Sequence, residues 1–170
     1  MGSLSSGGCV SKSPQKPEYT VFFDTNFLIY LAKPSAPEYP SALKYYQWLK
    51  ENNVPMLTSV VCVAEFAVKG NPDVIPRDIE VLALEIHHAK TAGKLASIYY
   101  QRSKKDKACI ADDLKIVAQA QLEKATHLLS HDRDMMKICE HLKSEGIDLP
   151  FSLTDPITIP AESCFGFLEI

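Results

Sequence analysis

The chain has 170 residues, of which 46% are hydrophobic and 23% charged, and its net charge is −3. This length fits one globular domain, and the acidic balance argues against a generally basic protein that coats nucleic acid. Five scattered cysteines without a C-x-x-C pair suggest neither a zinc ribbon nor a disulfide framework. With no secretory signal and no run of about 18 apolar residues, we expect a cytoplasmic protein without membrane contact.

The first 17 residues are rich in Gly, Ser, Lys and Pro and show no apolar periodicity. Their start fits the loose acylation pattern M-G-x-x-x-S, and Cys9 could accept a second lipid. Short Gly/Ser segments match that pattern easily, so residues 1–17 are predicted to be a flexible tail.

An apolar run at residues 19–23 predicts a short buried strand that ends in D-T-N. Asp24 then lies at the carboxyl edge of the sheet, where ligands bind in open α/β proteins. The alternative is that Asp24 only caps a short helix at residues 27–32.

A helix at 41–51 and a strand at 55–59 precede a third helix at 60–69, which Ser59 can cap. This third helix, V-V-C-V-A-E-F-A-V-K, is apolar on nearly every face and carries Glu65 in its middle. A carboxylate in that position needs compensation. We favour a site with a cation over the alternative, in which Glu65 pairs with a lysine.

A strand at 81–84 and a helix at 87–103 are predicted next. His87 and His88 are expected at the surface or at an interface, because no acid or cysteine lies at metal-binding spacing. The basic run that follows is either a solvated linker or a contact for phosphates, and we assign it to RNA binding. Its residues are Arg102, Lys104, Lys105 and Lys107.

The segment A-D-D-L-K-I-V-A-Q-A predicts a helix start, with Asp113 facing the edge of the core and Asp112 facing outward. A strand at 126–130 is again followed by acids, in H-D-R-D, so its carboxyl edge resembles that of the first strand. A helix at 135–144 and an edge strand at 157–159 complete a domain at 18–160, before a C-terminal tail at 161–170.

Four motifs in this order resemble those of the PIN-domain nucleases, the group that includes VapC-type toxins. They are D-T-N-F-L-I-Y-L, S-V-V-C-V-A-E-F, D-L-K-I-V-A-Q-A and L-L-S-H-D-R-D-M. The resemblance implies a single three-layer α/β domain with a short, mainly parallel sheet flanked by helices. It places the catalytic acids at Asp24, Glu65, Asp113 and Asp132, three of them (Asp24, Asp113 and Asp132) as metal ligands, with Asn26, Ser130 and Asp134 in support.

Clustered carboxylates repel one another by about 4 kcal/mol per pair at 4 Å and an effective dielectric of 20, so protons or a cation must offset them. All-oxygen ligands suit Mg²⁺ or Mn²⁺, and repulsion should raise the pKa values of the metal-free acids. We therefore expect a metal-dependent endoribonuclease. The resemblance adds a toxin role, with RNA, an antitoxin and a second copy of the chain as partners. The alternative is an inactive PIN-like module that binds RNA or protein.

Overall fold

The computed structural model describes residues 19–101 and 107–165, and for residues 107–110 it describes the backbone alone. The predicted N-terminal tail at 1–17 lies outside the described residues. The same holds for Arg102, Lys104, Lys105 and the side chain of Lys107. None of the described helices is long and apolar enough to cross a membrane.

Five short strands form one sheet in which every neighbouring pair is parallel, in the order β3-β2-β1-β4-β5. The strands are β1 (Val21–Phe23), β2 (Met56–Ser59), β3 (Ile79–Leu82), β4 (His127–Leu129) and β5 (Ser152–Thr154). The central β1 is completely buried, as the continuous apolar sequence V-F-F requires when helices cover both faces of a parallel sheet.

Helices connect the strands on both sides, as the sequence predicts for a three-layer α/β domain. They are α1 (Thr25–Ala32), α2 (Tyr39–Glu51), α3 (Val60–Lys69), α4 (Ile86–Tyr100), α5 (Lys107–Leu122), α6 (Arg133–Ser144) and α7 (Ala161–Phe165), with a 3₁₀ turn at Pro72–Val74. The bounds of α3 match the prediction, and the Ser59 hydroxyl accepts the Val61 N–H at 3.0 Å as its cap.

The register of the sheet brings three strand ends together. Phe23 lies opposite Thr58 of β2 and Leu129 of β4. Asp24 and Ser130, the residues that directly follow β1 and β4, therefore lie at one edge of the sheet, beside the start of α3. This alignment positions the acidic side chains described below.

The predicted edge strand at 157–159 is wrong, because the strand beside β4 at that edge of the sheet is β5. Residues 157–159 instead form a turn around Asp155, whose carboxylate accepts the Ile157 N–H at 2.9 Å and whose carbonyl accepts the Ile159 N–H. Pro156 follows this Asp, and Asp-Pro is a sequence typical of a turn.

The C-terminal tail was predicted to begin too early, because residues 161–165 form α7. Phe165 is only 2% exposed and stacks on Trp48 with ring centroids 4.7 Å apart. Its carbonyl also accepts the Tyr19 hydroxyl at 2.9 Å. Ala161 and Phe165 lie four residues apart on one buried face, so this short helix closes the core.

Candidate active site

Asp24 follows β1 directly and is 4% exposed. One carboxylate oxygen accepts the Thr25 N–H and the other accepts the Ser130 hydroxyl, both at 2.6 Å. Asp24 is therefore the N-cap of α1 and also a buried acid at the edge of the sheet. The two interpretations of this residue are compatible.

Ser130 joins the acids of the first and fourth strands. Its hydroxyl donates to Asp24 and accepts the Asp132 N–H at 3.0 Å. Asp132 in turn caps α6, where its Oδ1 accepts the N–H of Asp134 at 2.6 Å and that of Met135 at 3.4 Å. One buried hydroxyl thus fixes the spacing of two strand-end carboxylates.

Glu65 reaches the same region from the middle of α3. The Thr25 hydroxyl donates a short hydrogen bond to its Oε2. None of the lysines or arginines in the described part of the chain forms an ion pair with Glu65, so the structure does not support the alternative of a lysine partner.

Asp113 and Asp112 face different sides of α5, as the helical periodicity predicts. Asp113 contributes to the acidic cleft, whereas Asp112 pairs with Lys115 at 2.6 Å on the outer face. The predicted helix start is wrong, because α5 already begins at Lys107. Both acids lie in its second turn, where the helix dipole contributes little.

These acids line one open cleft of about 430 Å³. Five carboxylates, one amide, one hydroxyl, one lysine and one valine surround it, from Asp24, Glu65, Asp113, Asp132, Asp134, Asn26, Thr25, Lys69 and Val68. Sequence reasoning missed Thr25 and Lys69 as parts of the site. Lys69 follows Glu65 by one helical turn, and that spacing was the available signal.

Burial raises the pKa of Asp24 to about 6, although its hydrogen bonds from Ser130 and Thr25 oppose the shift. Burial also raises the pKa of Asp113, to about 8, and the charges of Asp24, Asp132, Glu65 and Asp134 add to this effect. Mutual repulsion was expected to be the cause, but burial is the larger one. A proton on Asp113 therefore offsets part of the negative charge at neutral pH.

The variant Asp24→Asn should stabilise the metal-free protein less than Asp113→Asn does. Neutralising Asp24 removes the cost of burying its charge and its repulsion from the other acids. An amide, however, keeps only one acceptor oxygen where the carboxylate uses two. Urea unfolding in EDTA at about pH 8 measures the difference between the two variants. A larger gain for Asp24→Asn would contradict this assignment of the hydrogen bonds.

The donor atoms of the cleft fit a hard divalent cation. They are carboxylate oxygens from four places in the fold, namely the end of β1, α3, α5 and the start of α6, with no thiol or imidazole among the described lining residues. Mg²⁺ and Mn²⁺ prefer such ligands. Asp24, Asp113 and Asp132 are the residues that would hold the ion.

A second group of possible metal ligands consists of His87, His88 and Glu123, whose nitrogen and oxygen atoms lie within 4.8 Å of one another. His87 is exposed as predicted, but the prediction for His88 is wrong, because it is 2% exposed. His88 Nδ1 accepts the Glu85 N–H at 3.1 Å, and its Nε2 lies 3.0 Å from Glu123. The neutral ring therefore carries its proton on Nε2 and donates to Glu123, which leaves no lone pair there for a cation.

No protein-family model and no curated protein matches the chain. Solved structures do match it. FitAcB from Neisseria gonorrhoeae covers 82% of this chain and 100% of its own, with a TM-score of 0.60 and 15% identity. VapBC2 from Rickettsia felis, bound to a DNA fragment from its promoter, covers 80% and 99%, with a TM-score of 0.57 and 16% identity. VapC20 of Mycobacterium tuberculosis, a Sarcin-Ricin loop cleaving toxin, covers 69% and 94%, with a TM-score of 0.51 and 15% identity.

These matches establish the fold of the chain. It is the PIN/VapC-like fold that the sequence motifs predict, with a five-stranded parallel sheet between helices. At about 15% identity the likeness concerns the fold alone.

Proposed function

We propose that this protein is a Mg²⁺- or Mn²⁺-dependent endoribonuclease. The observation that carries the proposal is the convergence of Asp24, Glu65, Asp113 and Asp132 in one open cleft at the carboxyl edge of the sheet. The sequence resemblance implies RNA as the substrate. The similar structure of VapC20, a Sarcin-Ricin loop cleaving toxin, supports this class of activity on this fold.

Asp24, Asp113 and Asp132 would hold the cation, and Asn26 and Asp134 complete the polar rim. When bound, a divalent cation lowers the pKa of a water molecule and neutralises charge on the scissile phosphate. Asp113 must release its proton to become a ligand, because its pKa is raised to about 8. Binding of the cation should therefore tighten as the pH rises towards 8.

Glu65 is the residue we assign to proton transfer. Its Oε2 is held by the Thr25 hydroxyl, while its Oε1 has no hydrogen-bond partner in the part of the chain that the structure describes. Glu65 Oε1 can then accept a proton from the attacking water. Thr25 acts as its positioning residue.

We extend the proposal to partners. The similar structures include VapBC2 and FitAB, each bound to DNA, and they support an antitoxin as the partner of this chain. A homodimer is the second proposed assembly. The basic residues Arg102, Lys104, Lys105 and Lys107 are proposed to contact RNA, since they directly precede or begin the helix that carries Asp113.

The test compares cleavage of total RNA by the wild type, Asp113→Asn and Asp112→Asn in EDTA, Mg²⁺ or Mn²⁺. We expect metal-dependent cutting by the wild type and by Asp112→Asn, and a loss of at least about 100-fold in Asp113→Asn, typical of removing a group that acts on the reaction directly. Asp112 is the matched control, because the adjacent acid pairs with Lys115 outside the cleft. No cutting by any protein would reject the nuclease and favour the binding module.

A further inference from the structure

Lys69 is the only cation among the described residues that line the acidic cleft. It is the last residue of α3 and follows Glu65 by four positions, so both side chains lie on the same face of that helix. Its side chain is exposed. One positive charge thus stands at the edge of a cleft that contains five carboxylates.

Other lysines close to acids form ion pairs with them. Lys115 pairs with Asp112 at 2.6 Å, and Lys137 pairs with Asp134 at 3.1 Å. Lys69 has no such partner among the carboxylates of residues 19–101 and 111–165. Its ammonium group is therefore available to an anionic ligand that enters the cleft.

We infer that Lys69 binds a backbone phosphate of the RNA, next to the phosphate that is cut. This inference rests on the proposed nuclease function and deepens it. A cation held by the acids would neutralise charge at the centre of the cleft. The neighbouring phosphates of the RNA would still be repelled by carboxylates at the edge of the cleft. A lysine ammonium is a compact charge with three hydrogen-bond donors. It can bind a backbone phosphate whatever the base of that nucleotide is.

A structural role is the competing explanation for Lys69. A lysine in the last turn of a helix interacts favourably with the helix dipole and can stabilise α3 without touching a ligand. The salt dependence of RNA binding separates the two roles, because each phosphate contact releases counterions from the RNA. Stabilising α3 would not change that dependence.

The experiment measures the binding of a labelled single-stranded oligoribonucleotide by fluorescence anisotropy, in fixed Mg²⁺ and from about 50 to 200 mM KCl. The full-length chain carries Asp113→Asn, which is expected to suppress cutting, alone or with Lys69→Gln, Lys69→Arg or Lys94→Gln. Lys94 is the matched control, an exposed lysine on α4 that does not line the cleft. Binding is thus measured whether or not the wild type cuts RNA.

We expect Lys69→Gln to weaken binding roughly threefold to fivefold, as for an exposed ion pair. The slope of log affinity against log salt should become shallower by about 0.7, the loss of one phosphate contact on a single strand. Lys69→Arg should keep the slope, and Lys94→Gln should leave both quantities unchanged. Equal slopes for Lys69→Gln and Lys94→Gln would overturn the inference, and so would an absence of RNA binding in all four proteins. Failure of the nuclease proposal is read separately, from cutting by the wild type.

Discussion

Asp113→Asn should raise the free energy of unfolding of the metal-free protein by roughly 2 to 4 kcal/mol at about pH 8. The pKa of this acid rises from 3.8 to about 8 on folding. A tenfold change in proton affinity corresponds to about 1.4 kcal/mol, so the full shift would give about 6 kcal/mol. The side chain is partly exposed, which reduces the gain below that limit.

The pH dependence has a definite sign. Below about pH 4, Asp113 is protonated in both the folded and the unfolded state, and the substitution should have little effect. Between about pH 4 and 8 the unfolded state loses the Asp113 proton first, so the wild type loses more stability than the Asn variant, which keeps only the smaller effect of Asp24. Above about pH 8 the carboxyl is ionised in both states, and the difference becomes constant.

Urea unfolding in EDTA at about pH 4, 6 and 8 measures this difference. Asp112→Asn is the control, since this half-buried neighbour pairs with Lys115 and should show no such gain. Adding Mg²⁺ should stabilise the wild type more than Asp113→Asn, because binding to the folded state alone raises its stability. A gain that is the same at all three pH values would contradict the raised pKa.

The sequence predicts the strand-end acids because parallel strands place their carboxyl ends at one edge. Asp24 and Asp132 follow the apolar runs that become β1 and β4, and the pairing of Phe23 with Leu129 brings these ends together. Glu65 is found by a different signal, as the only acid on an apolar helix. Periodicity within α5 similarly separates Asp113 from Asp112.

Contacts between distant parts of the chain cannot be found in this way. The hydrogen bond from Thr25 to Glu65 joins residues 40 positions apart, and the one from His88 to Glu123 joins residues 35 apart. Thr25 therefore resembles an ordinary cap residue in the sequence, and His88 resembles a surface residue. Their partners are set by the packing of α1 on α3 and of α4 on α5.

Element ends in polar or short segments are also poorly predicted. Lys107, the first residue of α5, ends a basic run that resembles a loop in the sequence, although lysine is a good helix former. The five-residue α7 has too few apolar positions to show a period. Its helix is stabilised by tertiary contacts of Phe165 with Trp48 and Tyr19, which no local pattern contains.

Ser130→Ala should destabilise the metal-free protein by about 1 to 3 kcal/mol, the usual cost of leaving buried polar groups without partners. The Ser130 side chain is fully buried. Its removal takes a donor from Asp24 and an acceptor from the Asp132 N–H. The hydrogen bond from Ser130 lowers the pKa of Asp24 against the effect of burial, so the alanine variant should raise that pKa above about 6.

The cost of Ser130→Ala should therefore grow with pH. At about pH 4, Asp24 is largely protonated in the folded state and depends less on the serine donor, whereas at about pH 8 its carboxylate needs the missing hydrogen bond. Unfolding free energies of the wild type, Ser130→Ala and Ser144→Ala at both pH values test this expectation. Ser144 is the matched control, because its hydroxyl also donates one hydrogen bond, to the His141 carbonyl at 2.7 Å, but on the surface. Equal losses of unfolding free energy in the two alanine variants would show that Ser130 does not hold the two acids in place. A larger, pH-dependent loss for Ser130→Ala would identify its hydroxyl as the group that sets their spacing.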